Sequence, residues 1–169
     1  MKYKDEKAFQ KRIADILRSA DLCFSAEFKV SDGKPDDYLS YDPKRYLRAD
    51  FYIGGAEQAI IECKVKPSAA SFARGLGQCL LYRHNIRVKH FVLCMPESYR
   101  IDWGYHYWDY EELCKNNGIG FATEENVIEV LKRVAGSLDD FCKLSQVDAW
   151  QKQIDAKWAA TLANLYRKA

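Results

Sequence analysis

Apolar residues recur with a helical period at the start of the chain. Phe9, Ile13, Ile16, Leu17 and Ala20 share one face of residues 5 to 20, which predicts a first amphipathic helix. The period then shortens: Phe24-Ser25-Ala26-Glu27-Phe28-Lys29-Val30 alternates apolar and polar positions as a half-buried strand does, with Glu27 on the polar side. Residues 31 to 47, with Pro35, Pro43 and many charges, read as a loop. Two short apolar stretches follow, Arg48 to Ile53 and Ala59 to Val65, joined by Gly54-Gly55-Ala56-Glu57-Gln58, the composition of a hairpin turn. Pro67-Ser68 opens a helix running to about His84, with Ser68 as its N-cap. Lys89 to Met95 reads as a buried strand ended by Pro96, and the aromatic crowd from Trp103 to Tyr110 as a loop that packs its own rings. A short helix from Asp109 to Asn117 stops at Gly118, and Ile119 to Ala122 forms a last strand. Thr123 caps a helix from Glu124 to Ala135, with Val127, Ile128, Leu131 and Val134 on one face. Beyond Gly136 a helical tail places Trp150, Ile154, Trp158 and Leu162 four residues apart, continued by Leu165 and Tyr166. So apolar a stripe needs cover, from its own domain or from a second subunit.

Composition narrows the class. A length of 169 residues, 48% hydrophobic and 30% charged, suits one domain with a real core. No apolar run is long enough for a membrane span and no signal-peptide pattern opens the chain, which predicts a cytoplasmic protein, with no membrane partner. Six cysteines without a CxxC pair read as reduced core thiols, and His84, His90 and His106 have no ligand spacing. The net charge of +2 decides nothing about nucleic acid, because local clusters matter more than the sum.

The chemistry lies in the two central stretches. In Ala59-Ile60-Ile61-Glu62-Cys63-Lys64-Val65, strand alternation sends Glu62 and Lys64 to one face and Ile61, Cys63 and Val65 to the other. Acids are unusual on so apolar a strand without a task, although Glu and Lys two apart also occur on solvated strand faces. The hairpin brings Asp50 beside Glu62. Two converging carboxylates repel one another, and a divalent cation relieves that repulsion; oxygen ligands of this kind suit Mg2+ or Mn2+. A neighbouring ammonium, Lys64, is then placed to orient or deprotonate a water or to neutralise charge on a phosphate.

This pattern, Asp50 … Glu62-Cys63-Lys64, resembles the PD-(D/E)XK nuclease superfamily, with Ala49 in place of the proline. Gln78-Cys79-Leu80-Leu81-Tyr82 is similar to the QxxxY element of RecB-like members, and Arg74, Gln78 and Tyr82 would share one helical stripe. The resemblance covers roughly residues 1 to 122. It implies a restriction-endonuclease-like α/β core over residues 1–135, a mixed sheet of four to five strands flanked by helices, with residues 136–169 as a helical C-terminal extension. It implies a Mg2+-dependent deoxyribonuclease, an endonuclease before an exonuclease, in which Asp50, Glu62 and the backbone carbonyl of Cys63 bind the metal and Lys64 assists the attacking water. Gln78 and Tyr82 would position the lysine or the DNA backbone. Glu6 and Glu27 are candidate additional carboxylates; Arg48, Lys66, Arg74, Trp103 and Tyr105 are candidate DNA contacts, as is the loop before Asp50. A homodimer through the C-terminal helix would suit a double-strand cutter acting in the cytoplasm or on the nucleoid. The alternative is a catalytically silent nuclease-like module that binds DNA or protein.

Overall fold

The structure, a computed structural model, describes residues 3–30, 48–66, 68–97 and 104–167; the side chains of residues 29, 104–108 and 157–167 are outside that description. The loop 31–47, Pro67 and Trp103 therefore lie outside the described residues, as do the side chains of Tyr105, Trp158, Leu162, Leu165 and Tyr166.

Among the described residues ten elements follow one another: α1 (Glu6–Ser19), β1 (Phe24–Lys29), β2 (Arg48–Ile53), β3 (Ala59–Cys63), α2 (Ala69–Asn85), β4 (His90–Cys94), α3 (Gly104–Asn116), β5 (Gly120–Ala122), α4 (Val127–Ala135) and α5 (Leu144–Arg167). The strands form one mixed sheet in the order β1-β2-β3-β4-β5. β1, β2 and β3 pair antiparallel, whereas β3-β4 and β4-β5 are parallel, each joined by a helical crossover. The expected α/β class and strand number are found. β3 is the middle strand and all five of its residues are buried, as its unbroken apolar run requires.

Two cores cover the two faces of the sheet. Phe9, Ile13 and Leu17 of α1 join Val127, Val130 and Leu131 of α4 over Phe51, Ile53, Ile61 and Cys63. Phe72, Cys79 and Tyr82 of α2 and Cys114 of α3 cover Ile60, Phe91, Leu93 and Phe121 on the other face. Each large apolar side chain removed from water contributes about 1.5–3 kcal/mol, so both helix layers are firmly held. Asp5 caps α1 by accepting from the Ala8 amide, and Ser68 caps α2 by accepting from Ser71.

Two expectations about helix starts are corrected. The segment read as an aromatic loop is helical from Gly104, since Tyr and Trp are only modestly poorer helix formers than Ala and clustered rings do not break a helix. From it, Tyr110 stacks on Phe72 with ring centroids 3.9 Å apart. Likewise α4 begins at Val127 rather than Glu124: Asn126 Oδ1 accepts from the Thr123 amide at 2.7 Å, which closes residues 123–126 into a turn ahead of the helix. Among the described residues no helix is long and apolar enough to cross a membrane. All six cysteines are free thiols, four of them buried.

Candidate active site

Asp50 stands where the sheet opens. The β1-β2 register passes from Ala26↔Phe51 to Phe28↔Ala49 without a Glu27 pairing, and Glu27 has a φ of 52°, in the left-handed region that a non-glycine residue seldom occupies. On its other side β2 pairs with β3 only as far as Phe51↔Ile61. Beyond that point the Cys63 amide, facing β2, finds a side chain instead of a backbone carbonyl: it donates to Asp50 Oδ2 at 2.6 Å. The Asp50 carboxylate thus continues the ladder. Its second oxygen, Oδ1, accepts from Gln10 Nε2 of α1 at 2.7 Å.

Glu62 and Lys64 lie on the opposite side of β3 from Ile61, Cys63 and Val65, as strand alternation predicts. Both are buried, at 1% and 6% exposure, a depth at which charges need partners. Lys64 Nζ donates to Glu62 Oε1 at 2.5 Å and to the Cys63 carbonyl at 3.0 Å, and Glu6 Oε1 lies 3.8 Å away. Glu62 Oε2 is 2.9 Å from the Tyr82 hydroxyl, which is also 2.7 Å from the Arg48 carbonyl and accepts from Gln78 Nε2 at 3.2 Å. The single hydroxyl proton serves one of those two acceptors at a time. Gln78 and Tyr82, four residues apart on α2, therefore form a chain that ends on Glu62, and reach the lysine only through that carboxylate.

Glycine at position 75 permits this closeness. A Cβ there would sit 2.5 Å from Leu93 Cδ1 and 2.9 Å from Lys64 Cγ, so α2 packs on the lysine stem only because position 75 has no side chain.

The electrostatics follow from burial. Desolvation, then the charge of Glu62, push the Asp50 carboxyl up to about 7, against the opposing Cys63 amide and Lys64. Glu62 is also raised by burial, with Lys64 and the Tyr82 hydrogen bond opposing. Burial pulls the Lys64 ammonium down, but Glu62, Glu6 and Asp50 outweigh it and the net shift is upward. Lys64 accordingly keeps its proton at neutral pH.

A cleft of about 820 Å³ opens beside this cluster, lined by Lys4, Glu6, Lys64, Lys66, Arg74 and Gln78 among others. Lys66 and Arg74 are exposed there. Asp50 and Glu62 do not form part of its wall. Arg48 and Glu27 pair with each other at 3.8 Å, both side chains more than half exposed, and neither lines the cleft. Gln78 Oε1 is buried and without a partner among the described residues.

Hard oxygen donors are what the site offers a metal: the two carboxylates, the Cys63 carbonyl and Glu6 at the margin. Burial is the main cause of the raised Asp50 pKa and the charge of Glu62 the second; that second part is the kind a divalent cation relieves, and the oxygen donors are of the type Mg2+ or Mn2+ takes. No group of three His, Cys, Asp or Glu side chains among the described residues is arranged to hold an ion, so any such site rests on fewer side chains and on other oxygens. One residue of the cluster, Gln10, was missed in the sequence; its signal was its position one turn after Glu6, beside the buried Phe9. The chain matches no family model, and no curated protein and no solved structure matches it.

Proposed function

We propose that the protein is a divergent PD-(D/E)XK-like, metal-dependent nuclease that hydrolyses phosphodiester bonds in DNA. One observation carries this reading: Asp50, held by the Cys63 amide, and the buried Glu62–Lys64 pair lie at the same end of two neighbouring strands, and Lys64 lines a cleft together with Lys66 and Arg74. The element order, with three antiparallel strands followed by a helix and a parallel strand, supports a restriction-endonuclease-like core. Asp50, Glu62 and the Cys63 carbonyl would hold Mg2+, with Mn2+ able to substitute. Bound there, such an ion supplies Lewis-acid polarisation of a phosphate oxygen and acidifies water. Lys64, kept charged by its carboxylates, orients the attacking water and neutralises the charge that builds on the phosphate, rather than taking a proton as a base. Tyr82 and Gln78 fix Glu62 from behind, and Lys66 and Arg74 contact the DNA backbone, binding that salt weakens. The reading includes a homodimer through α5, whose Trp150 is 62% exposed, and a place in the cytoplasm or on the nucleoid.

A specific observation favours a second reading, a catalytically silent DNA- or protein-binding module. Every oxygen of Asp50 and Glu62 already has a partner in the chain, as in a structural ion-pair network. Incubating the protein with plasmid, linear, single-stranded, branched and RNA substrates in Mg2+, Mn2+ or EDTA separates the two. Cutting that EDTA abolishes supports the nuclease; intact substrates in every metal support the silent module.

A further inference from the structure

Cys23 and Cys142 are the two cysteines that the cores leave partly exposed; the other four are buried. They face one another at the root of α5. Leu22 and Lys143 form an antiparallel bridge, flanked by the Cys23 amide on the Cys142 carbonyl at 2.9 Å and by the Leu144 amide on the Asp21 carbonyl at 3.0 Å. The next position along that pairing sets Cys23 opposite Cys142, with both side chains on one face. Opposed antiparallel residues have Cα atoms about 4.5–5.5 Å apart, inside the roughly 4.4–6.8 Å that a disulfide spans. The thiols do meet: burial, then the charge and the hydrogen bond of Cys142, raise the Cys23 thiol above its ordinary value. The backbone beside the pair is already fixed. Cys142 donates its amide to the Gly54 carbonyl at 2.6 Å, and a Cβ on Gly55 would sit 2.7 Å from Cys142 N, so this segment presses on the β2-β3 turn. Cys63 and Cys94 also stand opposite each other, on β3 and β4, but both are fully buried and shielded from an oxidant.

What a bond between these sulfurs would hold is α5. From Ser145 to Ala156 its side chains are exposed except the half-buried Ile154, so this part of the helix rests little on the domain. Its attachment is at the first turn, where the Asp21 carboxylate accepts from the Ser145 amide at 2.9 Å and from the Ser145 hydroxyl at 2.6 Å. Such exposed hydrogen bonds exchange with water; a covalent bond three residues earlier does not. Joining positions 23 and 142 also closes a loop that takes in most of the chain, the case in which a disulfide removes the most freedom from the unfolded state.

We propose that Cys23 and Cys142 are a reversible dithiol–disulfide pair which, when oxidised by a low-molecular-weight disulfide such as oxidised glutathione, fastens the root of α5 to the start of β1. One thiolate attacks a sulfur of the oxidant and expels one thiol, leaving a mixed disulfide; the other thiolate attacks the protein sulfur and expels the second. Two electrons and two protons pass to the oxidant, which leaves as two thiols. The raised Cys23 thiol makes this slow at neutral pH and faster toward alkaline pH. The inference stands apart from the nuclease reading. Its test incubates the full-length protein, without denaturant, in oxidised glutathione at pH 8, blocks the remaining thiols and maps the linkages by mass spectrometry, with thermal melts of the oxidised and dithiothreitol-treated forms. The expected result is a peptide pair joined through Cys23 and Cys142, a melting temperature higher by about 5 °C or more in the oxidised form, and the return of both thiols with dithiothreitol. Cys23→Ser and Cys142→Ser, each shown to fold by its own melt, should lose the shift, and the wild-type map decides even where a variant does not fold. Glutathione adducts that never resolve into the bond, linkage through other cysteines or between chains, or a bond that leaves the melting temperature unchanged overturns the inference.

Discussion

Asp50 is held in a place that disfavours its charge. Its carboxyl is raised to about 7 by burial and by Glu62, against an ordinary value of 3.8. The folded protein therefore binds this proton more tightly than the unfolded chain does. Stability from this group is fully present below about pH 4 and is lost as pH rises through about 7, a change on the order of 2–4 kcal/mol. In EDTA, urea unfolding should show wild type less stable at pH 8 than at pH 5. Asp50→Asn should remove most of that difference and be the more stable protein at pH 8, and an unchanged pH slope in the variant would show that Asp50 is not the source. Lys64 needs different treatment. Either Ala or Met in its place leaves Glu62 buried without its cation, which typically costs about 3–5 kcal/mol; Lys64→Met is the better probe only because it adds no cavity to that cost, and its folding is checked by a thermal melt.

The packing of α2 on β3 and β4 brings these residues together. Because a methyl at position 75 would collide with Leu93 and with the Lys64 stem, Gly75→Ala should destabilise the fold by about 1–3 kcal/mol. It should also lower any activity beyond what the stability loss explains; a variant with wild-type unfolding and activity would contradict the close packing. The strands of the site were legible in the sequence, since alternation around Glu62 assigns each side chain its face and the glycine-rich turn sets the β2-β3 pairing. The helix starts were less so. Clustered rings at the head of α3 resemble a loop by composition, and Thr123 reads as a cap although Asn126 makes the turn. Gln10 carried only the weak signal of its place one turn after Glu6: its partner is 40 residues away, a contact that no local pattern encodes.

At the scale of the whole molecule, two apolar cores clamp one twisted sheet and leave the candidate site at the end of β3, with α5 carrying an exposed surface. The apolar stripe left cover by its own domain and cover by a second subunit both open; on α5 Trp150 is 62% exposed and Ile154 half-buried, so the domain does not cover Trp150, and Val147, outside the stripe, is 40% exposed. If α5 joins two copies, sedimentation velocity should show a dimer that Trp150→Glu converts to monomer, with a change in unfolding free energy measured on the monomer within about 0.5 kcal/mol. A wild-type monomer at all concentrations would remove the dimer from the proposal. The central claim is chemical, and one measurement reaches it most directly: the rate of DNA cleavage in 10-fold serial dilutions of Lys64→Met and wild type, at the same saturating Mg2+ or Mn2+. The account predicts metal-dependent cutting by wild type and a loss of about 10²-fold or more in the folded variant. Equal rates, or no cutting by either, would contradict it.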